Sequence, residues 1–232
     1  MHLESEGPVQ ILHLDETENR FTPDWIDEFV GLLDQVEAMP HPISLVVVGA
    51  GKFWSNGLDL EWMTANPSET GRVVDAVHVM YSRVLASPIP SVAALQGHAF
   101  AAGAMLALAF DARVMREDRG FFCLPEVDIE IPFTRGMAAL VQAKLAPPAA
   151  HQAMAFGRRF GGADALAAGI VDAVASESDL LARAVAYATE ITGKDRITFT
   201  TIKSTMYAPV LSALAESAPA LVLPAAAAPA SA

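Results

Sequence analysis

The sequence predicts an α/β fold in which a largely parallel sheet is covered by helices. In the first half of the 232 residues, short apolar runs alternate with amphipathic helical patterns. Two loops rich in small residues, at positions 49–57 and 97–103, each follow one of these apolar runs. Strands that alternate with helices pair in parallel, and they are apolar along their whole length because both faces of the sheet are buried.

Five segments are predicted to be strands because they are short and apolar. The first helix should begin with Thr22 as its N-cap and Pro23 as its first residue, a combination typical of helix starts. A second helix carries an apolar stripe over residues 73–85. The predicted strands are 9–14, 44–48, 91–95, 111–115 and 121–124, and the later helices are 135–145, 148–156, 163–168 and 178–192.

The composition excludes several classes of protein. With 53% hydrophobic and 18% charged residues, the chain can bury a large core, which excludes general disorder. A net charge of -12 speaks against nucleic-acid binding, which requires a basic face. The single cysteine, Cys123, excludes an internal disulfide and a cysteine-based metal site, and its apolar neighbours predict a buried thiol.

Neither a metal site nor a membrane span is expected. The six histidines are scattered and form no pair of ligands at helical spacing. The longest apolar run, residues 99–110, is too short for a membrane span, which needs about 20 residues. The N-terminus has no secretory signal pattern and the C-terminus has no Ser-Lys-Leu ending, so we expect a cytoplasmic protein.

The two small-residue loops could bind a ligand through their backbone. The loop at 49–57 matches neither the P-loop nor the dinucleotide fingerprint. The loop at 97–103 opens a helix, whose first N–H groups have no partner within the helix. Together the loops could supply two N–H donors to one oxygen, which would form an oxyanion hole. The alternative is a helix start that packs tightly through glycine and alanine, and spacing leaves both possibilities open.

Three acidic residues lie in the apolar segment 124–132. Glu126, Asp128 and Glu130 alternate with aliphatic residues, which is typical of an edge strand with a solvated acidic face. Alternatively, an acid beside Pro125 could be removed from water, which would raise the pKa of its carboxyl and make it a better base. Spacing does not indicate which of the three acids that would be.

Three segments carry motifs in a fixed order. They read SLVVVGAGKFWSNGLDLEWM at 44–63, PSVAALQGHAFAAGAMLALAFDARVM at 90–115 and FFCLPEVDIEIP at 121–132. In this order they resemble the crotonase family, the enoyl-CoA hydratases and isomerases. The resemblance covers roughly residues 7–195, and it points in particular to the plant-type Δ3-Δ2-enoyl-CoA isomerases.

The resemblance implies a fold, an assembly and a substrate. The family's fold is a spiral of ββα units, which we expect over residues 1–195. A helical segment over 196–217 and a flexible Ala/Pro-rich tail over 218–232 should follow. Family members bind acyl-CoA thioesters and assemble as trimers or dimers of trimers. We therefore expect an acyl-CoA substrate, no separate cofactor, and a homotrimer or hexamer.

The family holds the thioester oxygen with two backbone N–H groups. By position, these donors correspond to Leu58 and Ala102 in this chain. The resemblance also assigns Gly57, Asp59 and Gly103, in the same two loops, to the substrate-binding site.

The coenzyme A of the substrate is anionic, whereas the protein is acidic overall. Local basic side chains must therefore hold the phosphates at short range. From the loops that flank the family's pocket, the candidates are Arg20, Lys52 and Arg72, each of which could instead be an ordinary surface charge.

The catalytic acids distinguish activities within the family. The family's hydratases share two catalytic glutamates. In this chain the resemblance places Met105 at the position of the first and Glu126 at the position of the second. A single base suits the 1,3-proton shift of a Δ3-Δ2-enoyl-CoA isomerase. One alternative is a hydratase or another crotonase-type lyase or hydrolase, with Asp128 or Glu130 as the second acid. The other is a non-catalytic acyl-CoA-binding protein. If Glu126 is not the base, Asp128, Glu130 and Glu61 are the next candidates.

Overall fold

The computed structural model describes residues 1–15 and 18–218, and it confirms the predicted α/β class. The strands are β1 (His2–Glu6), β2 (Val9–Leu14), β3 (Arg20–Phe21), β4 (Ser44–Gly49), β5 (Phe53–Ser55), β6 (Gly57–Leu58), β7 (Ser91–Leu95), β8 (His98–Phe100), β9 (Ala112–Arg116), β10 (Phe122–Cys123) and β11 (Ala173–Ala175). The helices are α1 (Pro23–Glu37), α2 (Leu60–Ala65), α3 (Thr70–Leu85), α4 (Ala102–Ala109), α5 (Arg135–Lys144), α6 (Pro147–Phe156), α7 (Gly162–Ala167), α8 (Leu180–Ile191), α9 (Arg196–Met206) and α10 (Ala208–Leu214). Two short 3-10 helices lie at Pro67–Glu69 and Pro125–Val127.

The largest sheet has the strand order β1-β2-β4-β7-β9-β11. Only the β1–β2 pair is antiparallel, and every later neighbour is parallel. This arrangement follows from the sequence, because β4 and β7 are apolar along almost their whole length and are buried on both faces. Helices α1, α3 and α4 contribute to the core on one side, and α8 covers the opposite face.

Successive turns of the chain form a spiral. Each turn first adds a strand to the large sheet and then a short strand to a second, three-stranded sheet with the order β10-β8-β5. A helix then returns the chain to the large sheet. The strand pairs β4–β5, β7–β8 and β9–β10 repeat this unit, which is the ββα spiral that the resemblance implies.

Of the second sheet, β10 lies within the predicted strand 121–124, but β5 and β8 were not predicted. Segments 49–57 and 97–103 were expected to be loops, yet they contain β5, β6 and β8. These three strands have two or three residues each, so none of them is long enough to show a hydrophobic period. Their conformation is fixed by pairing between distant segments, such as Phe53 with His98.

The edge strand suggested for residues 124–132 is wrong. The segment turns through the 3-10 helix Pro125–Val127 and continues as turns. As a result two neighbouring positions are the reverse of the expected pattern, because Glu126 is buried and Val127 is 50% exposed. Pro125 at the start of the turn fixes its own backbone φ and cannot donate to a strand ladder, which favours the turn.

The predicted helical segment 196–217 contains α9 and α10, of which α10 buries Val210 and Leu214 in the core. Lys203, on α9, is buried and forms an ion pair with Asp111, with its Nζ 2.7 Å from the carboxylate. The angles of this contact do not meet those of a hydrogen bond. Nearby, Lys144 donates to the carbonyl of Phe110 at 2.8 Å, and burial lowers the pKa of Lys144 to about 7. Of the predicted tail over 218–232, residues 219–232 lie outside the described residues.

The helices of the described residues include none that is both long and apolar enough to cross a membrane.

Replacing Lys203 should destabilise the fold, because Asp111 would remain largely buried without its partner. We expect Lys203→Ala to lower the free energy of unfolding by about 3–5 kcal/mol, measured by urea denaturation. The matched control is Lys194→Ala, on the exposed turn before α9, which should change it by less than about 0.5 kcal/mol. A loss below about 1 kcal/mol in Lys203→Ala would show that the ion pair does not hold α9 in place.

Candidate active site

A largely apolar cavity of about 440 Å³ lies between α2, the start of α4, the 3-10 helix Pro125–Val127 and α5. Its wall includes three of the residues predicted to do chemistry: Leu58, Ala102 and Glu126. The remaining lining residues are mostly apolar and include Leu60, Phe100, Met105, Ile129, Ile131 and Met137. The cavity can therefore hold an apolar group against a small number of polar atoms.

The N–H group of Leu58 is directed away from the neighbouring strand. In the β3–β6 pair, the N–H of Asp59 donates to the carbonyl of Phe21 at 3.3 Å. Because alternate residues of a strand direct their N–H groups to opposite sides, the N–H of Leu58 points away from β3. No further strand pairs with β6 among the described residues, and Leu58 lines the cavity.

The second predicted donor is at the first residue of a helix. Ala102 begins α4, so its N–H has no acceptor within that helix. It lies directly against the first loop: a Cβ added to Gly57 would be 2.9 Å from the nitrogen of Ala102. Similarly, a Cβ on Gly103 would be 2.6 Å from the hydroxyl of Ser55. Gly57 and Gly103 thus allow the two loops to touch, and they are adjacent in sequence to the lining residues Leu58 and Ala102.

The start of α4 is strained and has no side-chain cap. Ala101, at the N-cap position, has a φ of 49° and a ψ of -126°. This conformation is energetically unfavourable for residues other than glycine. A side chain from α3 compensates, because the hydroxyl of Tyr81 donates to the carbonyl of Ala102 at 2.7 Å. The sequence placed Tyr81 only in the apolar stripe of a helix, and no local signal indicated this contact.

Glu126 provides a buried carboxylate at the cavity wall. Its side chain is on the turn that follows β10, and the residue is only 6% exposed. Its Oε2 has no hydrogen-bond partner among the described residues. Burial therefore disfavours the charged form and raises the pKa of Glu126 to about 7. A carboxyl with this pKa can both accept and return a proton near neutral pH.

The other acids of the segment are elsewhere. Asp128 and Glu130 are exposed and do not line the cavity. Glu61 does line it, but its side chain is 88% exposed and lies 3.7 Å from Arg20. Met105, which the resemblance matches to the first glutamate of the hydratases, lies in the cavity wall. Glu126 is therefore the single buried carboxylate among the described residues that line this cavity.

Of the predicted basic residues, Arg20 alone reaches the cavity. It is surrounded by acids, with Glu18 at 2.6 Å, Glu61 at 3.7 Å and Asp59 at 3.9 Å. The hydrogen bond to Glu18 raises the pKa of Arg20, so its charge is already balanced.

Asp59 caps α2 by accepting a hydrogen bond from the N–H of Trp62 at 2.9 Å, and it does not line the cavity.

Lys52 and Arg72 lie outside the cavity lining. Lys52 is exposed above the ring of Phe53, and Arg72 pairs with Glu69 at 3.0 Å. The structure instead places Arg159 at the cavity, where its guanidinium lies 5.9 Å from the centre of the Phe100 ring.

Arg159 reaches the cavity through a contact that is distant in sequence. Phe122 and Phe160 exchange two backbone hydrogen bonds of 2.9 Å, which bring the chain around residue 159 beside β10. The basic pair at residues 158–159 gave no sequence signal for this position, because the contact spans almost 40 residues.

Cys123 is buried, as predicted, although it also contributes to the cavity wall. Its thiol donates to the carbonyl of Gly157 at 3.4 Å, and burial raises its pKa to about 11. At neutral pH the thiol is therefore protonated and a poor nucleophile. Among the described residues, no group of three or more His, Cys, Asp or Glu side chains is arranged to hold a metal ion.

The buried carboxylate should reduce stability as the pH rises. The folded-state pKa of Glu126 lies above its ordinary value, so the folded protein binds more protons between pH 4.5 and 7, and stability falls across this range. Glu126→Gln has no group to titrate there. The free energy of unfolding of the variant should therefore increase relative to that of the wild type as the pH rises, by about 3 kcal/mol above pH 7. Urea denaturation from pH 4.5 to 8.5 tests this, and a difference that stays constant would contradict it.

The sequence of the chain is similar to those of known enoyl-CoA hydratases and isomerases. Residues 5–220 match the enoyl-CoA hydratase/isomerase family. The chain is 38% identical to the peroxisomal enoyl-CoA delta isomerase 2 of Arabidopsis thaliana over 186 residues, which cover 76% of this chain and 78% of that protein. It is also 38% identical to enoyl-CoA delta isomerase 3 of the same plant over 183 residues, with coverage of 76% and 77%.

Solved structures show the same fold. A Mycobacterium tuberculosis protein superimposes with a TM-score of 0.85 at 26% identity, over 92% of this chain and 93% of that one. It is named an enoyl-CoA isomerase with this structure and a probable enoyl-CoA hydratase with a second one. The human mitochondrial Δ3-Δ2-enoyl-CoA isomerase gives a TM-score of 0.83 at 24% identity, over 92% and 85%. These matches confirm the resemblance identified from the three motifs, including its relation to plant isomerases. The chain is a member of the enoyl-CoA hydratase/isomerase, or crotonase, family.

Proposed function

We propose that the protein is a Δ3-Δ2-enoyl-CoA isomerase in which Glu126 is the only acid–base group. The observation that carries this proposal is the buried carboxylate of Glu126, which lines the same cavity as Leu58 and Ala102. The relatives at 38% identity are named enoyl-CoA delta isomerases, which supports the same activity.

The proposed reaction moves one proton between two carbons. The N–H groups of Leu58 and Ala102 donate to the thioester oxygen of a 3-enoyl-CoA. The Glu126 carboxylate removes a proton from C2, and the electrons of that C–H bond delocalise into a dienolate whose negative charge rests on the thioester oxygen. Protonated Glu126 then delivers the proton to C4, and the double bond moves from C3–C4 to C2–C3. Atoms and electrons balance within the substrate, so the step includes no metal or redox cofactor.

A hydratase mechanism is less compatible with this cavity. Hydration must activate a water molecule and also protonate a carbon atom, which favours two acid–base groups. The thioether of Met105 cannot transfer a proton, and the candidates Asp128 and Glu130 are exposed outside the cavity lining. Retention of Glu126 in a buried position likewise argues against a protein that only binds acyl-CoA.

An assembly of three or six chains belongs to the proposal as well. Helix α9 exposes three large apolar side chains: Ile197 is 78% exposed, Ile202 is 56% exposed and Met206 is 65% exposed. Large exposed apolar patches often mark protein–protein interaction sites. We propose that α9 contributes to the contact between subunits of a homotrimer or hexamer. A cytoplasmic location also stays a proposal, and the names of two plant relatives include the word peroxisomal.

Glu126→Gln should abolish isomerisation while acyl-CoA binding persists. Removing a general base lowers kcat by about 10²–10⁴-fold, and the amide keeps the size of the side chain. The assay follows conversion of 3-enoyl-CoA to 2-enoyl-CoA, with Asp128→Asn as the matched control that should retain activity. Normal turnover by Glu126→Gln would refute the assignment of the base. If wild-type protein converts 2-enoyl-CoA to 3-hydroxyacyl-CoA faster than it isomerises, the hydratase alternative is correct.

Arg159 should contribute to binding of the CoA phosphates. Among the described residues it lines the cavity without a carboxylate within ion-pair distance, whereas Arg20 is surrounded by acids. We expect Arg159→Gln to raise KM about tenfold, the loss of one charge-assisted hydrogen bond, with kcat little changed. Arg72→Gln, on an exposed helix outside the cavity lining, is the matched control. The effect should disappear with a pantetheine thioester that lacks the phosphates, and an equal effect on both thioesters would contradict a phosphate contact.

A further inference from the structure

We propose that Tyr81 is a positioning residue that fixes the oxyanion donor on Ala102. Tyr81 lies on α3, outside the three motifs that resemble the family. Its side chain does not line the cavity, so it acts on the reaction through the backbone of α4. The inference rests on the proposed function, in which the N–H of Ala102 binds the thioester oxygen.

The start of α4 needs an external anchor. Helices ordinarily begin with a side chain that caps the free N–H groups, but Ala101 at the N-cap of α4 makes no such hydrogen bond. Its positive φ adds strain that relaxation of the first turn would release. An unrestrained first turn would let the N–H of Ala102 change direction, and misplacement of a catalytic group by about 1 Å can reduce a rate by about 10²-fold.

Tyr81 is suited to be that anchor. Its hydroxyl donates to the carbonyl of Ala102 at 2.7 Å, the residue whose N–H is the proposed donor. The ring is fully buried within the main core, which leaves the side chain no alternative position. Burial also raises the pKa of Tyr81 well above its ordinary value, so the hydroxyl keeps the proton that it donates.

The first loop restrains the same residue from the opposite direction. Gly57 lies so close to Ala102 that no side chain fits between them. Contact with Gly57 therefore limits movement of Ala102 toward the first loop, and the hydrogen bond from Tyr81 holds its carbonyl toward α3. The N–H of Met105 donates to the carbonyl of Ala101 at 3.1 Å and restrains the peptide plane before Ala102, while Tyr81 restrains the plane after it.

The test compares Tyr81→Phe with Tyr207→Phe. Phenylalanine fits the cavity that tyrosine fills, so only the hydroxyl is lost. Tyr207 is the matched control, because its hydroxyl also contacts a buried group, Lys144 at 3.5 Å, but lies outside the active-site cavity. We expect Tyr81→Phe to lower kcat about 10- to 100-fold with KM changed less than about threefold. Tyr207→Phe should leave both constants within about twofold of the wild type.

A spectroscopic measurement separates positioning from a general effect on stability. Isotope-edited infrared spectra of a bound saturated acyl-CoA, labelled at the thioester carbonyl, report the strength of hydrogen bonding to that oxygen. Binding should lower the carbonyl stretching frequency in wild type and in Tyr207→Phe, and part of that shift should be lost in Tyr81→Phe. An unchanged frequency in Tyr81→Phe, or a kcat within twofold of the wild type, would overturn the proposal.

The saturated thioester cannot isomerise, so this measurement does not depend on turnover. If the wild type fails to isomerise 3-enoyl-CoA, the proposed reaction is wrong. A carbonyl shift that is present in the wild type and reduced in Tyr81→Phe would still support the role of Tyr81. Absence of any shift in the wild type would overturn both the oxyanion hole and the role of Tyr81.

Discussion

The close approach of two backbone segments is the constraint on which the site depends. Gly57 and Ala102 come from different turns of the spiral, and they touch because β5 and β8 pair side by side in the small sheet. A side chain at position 57 would separate them and would also have to adopt a φ of 79°, which disfavours residues other than glycine. The spiral therefore does more than support the cavity, since its repeat brings together two N–H groups from segments about 45 residues apart.

Burial of Glu126 gives the cavity its reactivity and makes the fold less stable at neutral pH. An isolated carboxylate is held by the turn at Pro125–Val127 against aliphatic side chains, without a basic partner on its Oε2. The same loss of hydration raises its pKa to about 7 and disfavours the charged form that begins the reaction. A core residue selected for stability alone would be apolar here. The large apolar cores on both faces of the main sheet can offset the unfavourable burial.

Local patterns were sufficient for the elements that local interactions determine. The first helix begins as predicted, with Thr22 accepting a hydrogen bond from the N–H of Trp25 at 3.2 Å, because capping involves neighbours in sequence. Four strands of the main sheet, β2, β4, β7 and β9, were predicted from their own apolar runs, whereas the edge strands β1 and β11 were not. The short strands β5 and β8 and the turn at Glu126 were not, since pairing partners and burial are set by distant residues. Recognition of ordered motifs, rather than periodicity, indicated which acid faces the cavity.

The site residues that the sequence did not reveal share one property. Tyr81 and Arg159 both act across contacts between elements that are far apart in the chain, α3 with α4 and residue 160 with β10. Neither residue belongs to a motif, and each looks ordinary in its own segment: one aromatic residue in an apolar stripe, one arginine beside another.

The position of Met105 connects the apolar cavity to the choice of reaction. A proton shift consumes no water, because Glu126 takes a proton from C2 and gives one to C4, whereas hydration needs a water molecule beside the acid. Glu126 is 6% exposed, and Met105, Ile129 and Ile131 line the same cavity. These apolar groups disfavour a bound water molecule, because such a water would have few polar partners. A glutamate at position 105 would supply a polar partner and allow water to be activated. With Met105 in place of a glutamate, the cavity lacks a second acid–base group and excludes water from Glu126. Both effects favour isomerisation over hydration.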